Sequence, residues 1–136
     1  MKELIEMDLV RIRIDERRGE QVIVLKEKSG ERLLPIVIGI IEASAIKMKV
    51  SGFNPPRPLT HDLINSLLTG LEAQLDKIVV ERLENNIFYA KVLVRRKDGK
   101  VISIDARPSD SIAIALRAQA PIFVSRKVLE QAKTVE

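Results

Sequence analysis

Between Ser103 and Ser125 the chain reads SIDARPSDSIAIALRAQAPIFVS, and this stretch limits the fold more than any other. A β-branched run ends at Ile104, and Asp105-Ala106-Arg107 makes a polar corner. Pro108 stands where a first helical turn tolerates it, since the missing N–H would be unpaired there anyway. Ser109 and Asp110 follow at the start of that helix, where free N–H groups and the helix dipole favour oxygen and negative charge. Ile112-Ala113-Ile114-Ala115-Leu116 is apolar all round, which requires a helix buried on every side. Ala120-Pro121 breaks it, and Pro121-Ile122-Phe123-Val124 reads as a short buried strand. Strand, acidic corner, buried helix and strand in succession demand a substantial core.

The chain can supply one. Its 136 residues, 46% hydrophobic and 31% charged, fit a single domain over residues 1–136, with a core over about 4–125 and no need of staples. There is no cysteine, which excludes a disulfide scaffold, a zinc–thiolate site and a thiol nucleophile. Met1-Lys2-Glu3 leads straight into patterned sequence, and no apolar run is long enough to cross a membrane. The expected location is therefore the cytoplasm, with no membrane partner. A net charge of +4 permits an anionic partner without demanding one.

Leu4 to Asp15 reads as a first strand whose apolar phase switches, Ile5, Met7 and Leu9 on one face and Val10, Ile12 and Ile14 on the other. That switch needs a bulge near Leu9-Val10 or cover on both faces. Glu16-Arg17-Arg18-Gly19 is a turn. Val22-Ile23-Val24-Leu25 lacks alternation, as in a strand buried on both sides. Arg32 to Ile38 is a third strand, and Pro35 within it calls for an edge or a bulge. A helix follows Gly39 to about Val50, with Ile41, Ala45 and Met48 as its apolar face. The proline-rich connection Ser51 to Pro58 is stiff rather than a domain boundary. Thr60 is the expected N-cap of a helix reaching about Gln74. Leu63, Ile64, Leu67, Leu68, Leu71 and Leu75 form its stripe, with His61 and Asn65 on another face. Two hairpins, at Glu84-Asn85-Asn86 and at Lys97-Asp98-Gly99-Lys100, join strands 77–83, 87–96 and 101–105. Ser125 caps a short terminal helix over 126–132. The fold class is α+β: a single compact domain in which three to four helices pack on a mostly antiparallel, mixed sheet.

Three groups of residues carry chemistry. His61, the sole histidine, stands at a helix start where an imidazole suits general-base or metal-ligand work; it could equally cap or face solvent. Asp105 and Asp110 could hold a hard divalent cation through oxygen, with Arg107 gripping a phosphate oxygen. The plain alternative pairs Arg107 with one aspartate while Asp110 offsets the helix dipole. Glu42 could join Asp62 or Asp110 in an acidic cluster, or satisfy its own helix start. The basic hairpin Arg95 to Lys100 favours a solvated sheet edge over phosphate contact. Aromatic content of 3%, with Phe88 and Tyr89 on opposite faces, argues against base stacking on a sheet. No phosphate-binding loop, dinucleotide fingerprint, nucleophile elbow or zinc-protease helix motif is present.

Taken in order, several words recur as a set. They are Ile38-Gly39, Glu42-Ala43, Ala45-Ile46, Arg57-Pro58-Leu59-Thr60-His61-Asp62-Leu63, Phe88-Tyr89-Ala90, Asp105-Ala106-Arg107-Pro108-Ser109-Asp110-Ser111 and Ala120-Pro121-Ile122. Together they resemble the bifunctional nuclease domain family over roughly Leu4 to Ser125. The resemblance implies a compact α/β fold, a homo-oligomer with a dimer favoured, and cleavage of DNA and RNA as reported for plant members, which carry additional segments. By motif match it points to Glu42, His61, Asp62, Asp105, Arg107, Ser109 and Asp110.

The expectation is therefore a nuclease of low sequence specificity that acts on nucleic acid. Its catalytic candidates are His61, Asp62, Asp105 and Asp110, and its substrate-binding candidates are Arg57, Arg107 and Ser109. Magnesium or manganese would be held by Glu42, Asp105 and Asp110. The alternative is a non-catalytic oligomeric binding or regulatory domain whose polar motifs are structural. For a homo-oligomer of either kind, the Pro35 strand and the apolar terminal segments are the expected interface material.

Overall fold

The computed structural model describes residues 3–132 apart from 16 and 18, so the turn expected at 16–19 lies partly outside the described residues. Its elements run β1 (Leu4–Asp15), β2 (Glu20–Glu27), β3 (Leu33–Ile38), α1 (Ile40–Ser51), α2 (Thr60–Gly70), β4 (Gln74–Glu84), β5 (Ile87–Arg95), β6 (Val101–Ala106), α3 (Pro108–Ala118), β7 (Ile122–Ser125) and α4 (Arg126–Ala132). The strands form one sheet in the order β3-β2-β1-β7-β4-β5-β6. Every neighbouring pair is antiparallel except β4 and β7, which run parallel. The α+β class is that expected.

Local sequence explains most of these elements. The phase switch in β1 is a bulge, since its register with β2 shifts between Leu9 and Arg11. Pro35 sits in β3, an edge strand, where a missing donor is tolerated. Val22, Ile23, Val24 and Leu25 are all buried. Asn85 and Asn86 both adopt positive φ (52° and 64°), the backbone of a two-residue hairpin turn whose twist matches the strands it joins. Pro108 opens α3, which buries Ile112, Ala113, Ile114 and Ala115 and packs against α1, α2, β4 and β5. Being covered from so many sides is what its all-round apolar sequence requires. The Ser125 hydroxyl accepts the Val128 N–H at 3.3 Å and so caps α4.

The first two helices depart from expectation. α1 buries Ala43, Ala45 and Ile46, while Ile41 is 76% exposed. α1 contacts α3, and short alanines on the buried side suit a close approach of two helix backbones. In α2 only His61 is fully buried, and Leu63, Leu67 and Leu71 face outward. The leucine stripe exists as a pattern, but the helix is rotated so that His61 and Asn65 turn towards α3. Asn65 Nδ2 donates to the Ile114 carbonyl at 3.3 Å. Thr60 is the first helical residue, not the cap, which is Leu59. The helix ends at Gly70, short of Gln74, because Glu72 takes a positive φ of 60° and Gln74 already belongs to β4.

Candidate functional site

Each of the three helices α1, α2 and α3 carries a carboxylate at its third position: Glu42, Asp62 and Asp110. Negative charge there offsets the unpaired N–H groups and the positive end of the dipole. The three carboxylates then find different partners.

Asp110 joins two of the expected site residues. His61 Nε2 lies 2.9 Å from Asp110 Oδ1, and Arg107 Nε donates to Oδ2 at 2.9 Å. Burial alone would raise the Asp110 carboxyl. Hydrogen bonds from His61 and Arg107, with the charge of Arg107, outweigh it and hold the group below the usual aspartate range. An ionised Asp110 only accepts, so Nε2 carries the hydrogen in the neutral ring and Nδ1 presents its lone pair. Nδ1 has no partner among the described residues, and no fully buried side-chain nitrogen or oxygen there lacks one. His61 is among the residues that line the groove described next.

Arg107 bridges Asp110 to Glu42, whose Oε2 accepts from Nη2 at 3.2 Å. Its pKa is raised chiefly by the Asp110 hydrogen bond. Glu42 folds back over Gly39, and a Cβ there would only require its flexible carboxylate to shift. Nη1 of Arg107 makes no hydrogen bond among the described residues, and the side chain is 64% exposed, leaving a donor for a ligand.

These groups form one end of a groove of about 750 Å³. Its walls are aliphatic, from Ile41 and Met48 of α1, Ile64 and Leu68 of α2, and Val92 and Ile104 of the sheet. Asp105 reaches the same groove from β6, but its carboxylate is 73% exposed and its nearest charged partner is Lys91 at 3.8 Å.

The remaining expected residues lie apart. Asp62 accepts the Leu59 N–H at 2.8 Å through one oxygen and Arg117 Nε at 2.6 Å through the other. Burial works against its charge, and these two bonds nevertheless hold it below the usual range. Arg57 is exposed on the loop before α2 and lines a shallow depression with Asp62 and Arg117, outside the groove. Ser109 is buried and borders a separate depression beside Arg107 and Pro108. The basic hairpin directs its cations to acids: Arg95 to Asp76 at 2.7 Å, Arg96 to Asp98 at 3.3 Å and Lys97 to Glu72 at 2.9 Å. Arg117 went unread in the sequence. Its one signal was a single charged residue in the buried run of α3.

A Bifunctional nuclease domain model matches residues 23–136. The chain belongs to the bifunctional nuclease domain family. It is 44% identical over 127 residues to an uncharacterized protein of Mycobacterium tuberculosis, covering 93% of this chain and 75% of that one. It is 23% identical over 120 residues to Bifunctional nuclease 1 of Oryza sativa subsp. indica, and 24% over 107 residues to Bifunctional nuclease 1 of Arabidopsis thaliana. Those two alignments cover 86% and 76% of this chain but only 36% and 33% of the plant proteins.

The fit of a divalent cation can be tested on the residues themselves. Among the described residues no three His, Asp or Glu side chains converge as ligands of one ion. Between Glu42 and Asp110 stands the Arg107 guanidinium, which already supplies the positive charge those carboxylates face. Glu42 and Asp110 thus share Arg107, and Asp105 stands apart beside Lys91.

Proposed function

We propose that this domain hydrolyses phosphodiesters of DNA or RNA with low sequence specificity, using His61, Asp110 and Arg107 at the polar end of the groove. The observation that carries the reading is the 2.9 Å contact between His61 Nε2 and Asp110 Oδ1, which leaves Nδ1 without a partner among the described residues in a residue that lines the groove. In this reading Nδ1 takes a proton from water as the water oxygen bonds to phosphorus. The P–O bond to the leaving group breaks, and that oxygen is protonated from solvent. Asp110 holds the ring in the required tautomer and stabilises the imidazolium that forms. Arg107, through Nη1, faces the charge developing on the phosphoryl oxygens. Membership of the family, and the plant relatives that bear the nuclease name, support the same assignment. Asp62 belongs to the scaffold and Asp105 to the groove rim, while Arg57 and Ser109 lie outside the groove and take no part in this reading.

Metal assistance is an open arm of the experiment rather than a step in this mechanism. Labelled single- and double-stranded DNA and RNA are incubated with wild type and Asp110→Asn in magnesium, manganese or chelator. Cleavage lost in a folded Asp110→Asn supports the reading. Cleavage equal in the two proteins overturns it.

The mutual pairing of Glu42, Arg107, Asp110, Asp62 and Arg117 favours a second reading, a non-catalytic oligomeric domain in which this network is structural. Its signature would be loss of stability or assembly in Asp110→Asn, with no cleavage by either protein. A homodimer belongs to both readings. It is supported by apolar side chains left exposed at Leu63 and Leu67 of α2, at Leu71 just past its end, and at Ile102 and Ile104 of edge strand β6. A cytoplasmic site of action is part of the proposal. Among the described residues no helix is long and apolar enough to cross a membrane.

A further inference from the structure

We infer that Arg117 is a positioning residue that sets the contact between His61 and Asp110. The inference rests on the nuclease reading only for its kinetic arm. Arg117 lies in the last turn of α3, where the dipole favours a cation, yet its side chain is only 7% exposed. Nε donates to Asp62 Oδ1 at 2.6 Å, Nη2 to the Ala45 carbonyl of α1 at 3.1 Å, and Nη1 to the Ala113 carbonyl of α3 at 3.1 Å. One planar guanidinium thus joins α1, α2 and α3, a task its forked donors suit and a point charge does not.

The link reaches the site through two bonds. Asp62 ties Arg117 to the Leu59 N–H at the start of α2, and His61 is the residue next to Asp62. Asp110 stands seven residues before Arg117 on α3. The offset between α2 and α3 therefore fixes whether His61 meets Asp110. Leu68, packed against the core, and half-buried Ile64 supply apolar contact from α2, while Leu63 and Leu67 face outward, so the polar ties carry a large share of that offset. Besides Arg117–Asp62 and His61–Asp110, the polar tie between the two helices is Asn65 to the Ile114 carbonyl. Arg117 does not line the groove, so it acts through His61 rather than on substrate.

His61 is the only histidine, so one imidazole signal reports its state without interference. The test records ring nitrogen-15 shifts of His61 in wild type, Arg117→Met and Arg117→Lys, with circular dichroism as the check of folding. Wild type is expected to show the Nε2–H tautomer. In Arg117→Met the shifts should average between the two tautomers. Cleavage should lose about 10²-fold in kcat with KM little changed, the scale of a misplacement of about 1 Å. Arg117→Lys keeps a charge beside Asp62 but cannot serve all three acceptors, so its shifts and rate should fall between the two. Wild-type shifts in a folded Arg117→Met overturn the inference. Should that variant not fold, wild-type shifts in Arg117→Lys overturn it instead. If wild type itself does not cleave, the nuclease reading fails, and the His61 spectrum still decides the role of Arg117.

Discussion

Asp110→Asn separates the contributions that meet at the site. Asp110 accepts from His61 on one oxygen and from Arg107 on the other, so both neighbours are donors. An amide offers one acceptor: with its oxygen on Arg107, its NH₂ faces His61 Nε2, which can accept only in the opposite tautomer, so the charge-assisted bond and the wild-type tautomer are both lost. A charge-assisted hydrogen bond to a buried partner such as His61 contributes roughly 1.5–2 kcal/mol. The Arg107 pair is largely solvated at 64% exposure and contributes about 0.5 kcal/mol. Loss of negative charge in the first turn of α3 adds about 0.5 kcal/mol. The total is about 2.5–3 kcal/mol, which at a urea m-value of about 1.5–2 kcal/mol/M moves the midpoint down by roughly 1.2–2 M.

Urea unfolding at neutral and acid pH measures both the size and the origin of that difference. The folded pKa of Asp110 is depressed, so its contribution is complete above the unfolded carboxyl value and is lost as pH falls through the folded one. The gap between wild type and variant should therefore narrow below about pH 4. A midpoint shift under about 0.3 M at neutral pH, or a gap that persists unchanged in acid, would refute the reasoning.

Three further outcomes follow from other parts of the fold. Ile78 is fully buried and pairs with both β5 and β7, so Ile78→Ala should cost about 3 kcal/mol in urea unfolding through lost burial and a residual cavity. Asn85→Val places a β-branched residue at a φ of 52°, and thermal unfolding should show a loss of about 1–2 kcal/mol. Leu67→Glu, at a position 55% exposed, should leave stability within about 0.5 kcal/mol of wild type while sedimentation shifts from dimer to monomer.

Features carried by single residues or short spacings were legible in the sequence. The β1 bulge shows in a change of apolar phase, the β3 edge in Pro35, the β4–β5 turn in Asn85-Asn86 and the α3 start in Pro108. Each reflects a local steric or hydrogen-bonding rule. The rotation of α2 was not legible, because periodicity reveals that a leucine stripe exists but not whether anything covers it. α1 was legible in part: Ala45 was placed on the buried face correctly, but Ile41, chosen for its hydrophobicity, is exposed while Ala43 and Ile46 are buried. The parallel pairing of β7 with β4 depends on contacts far apart in the chain. Within the site, Glu42, His61, Arg107 and Asp110 were named from their helix starts and do meet. Asp62 sits at an equivalent position but turns towards Arg117, a partner 55 residues away that spacing could not supply.

The central claim is that His61 acts on substrate through its free ring nitrogen. Cleavage of a labelled single-stranded oligonucleotide by wild type and His61→Ala, purified in parallel and both folded, tests it most directly. The account predicts a loss of about 10²–10⁴-fold in the variant, partly restored by added imidazole. Equal cleavage by the two proteins would contradict it.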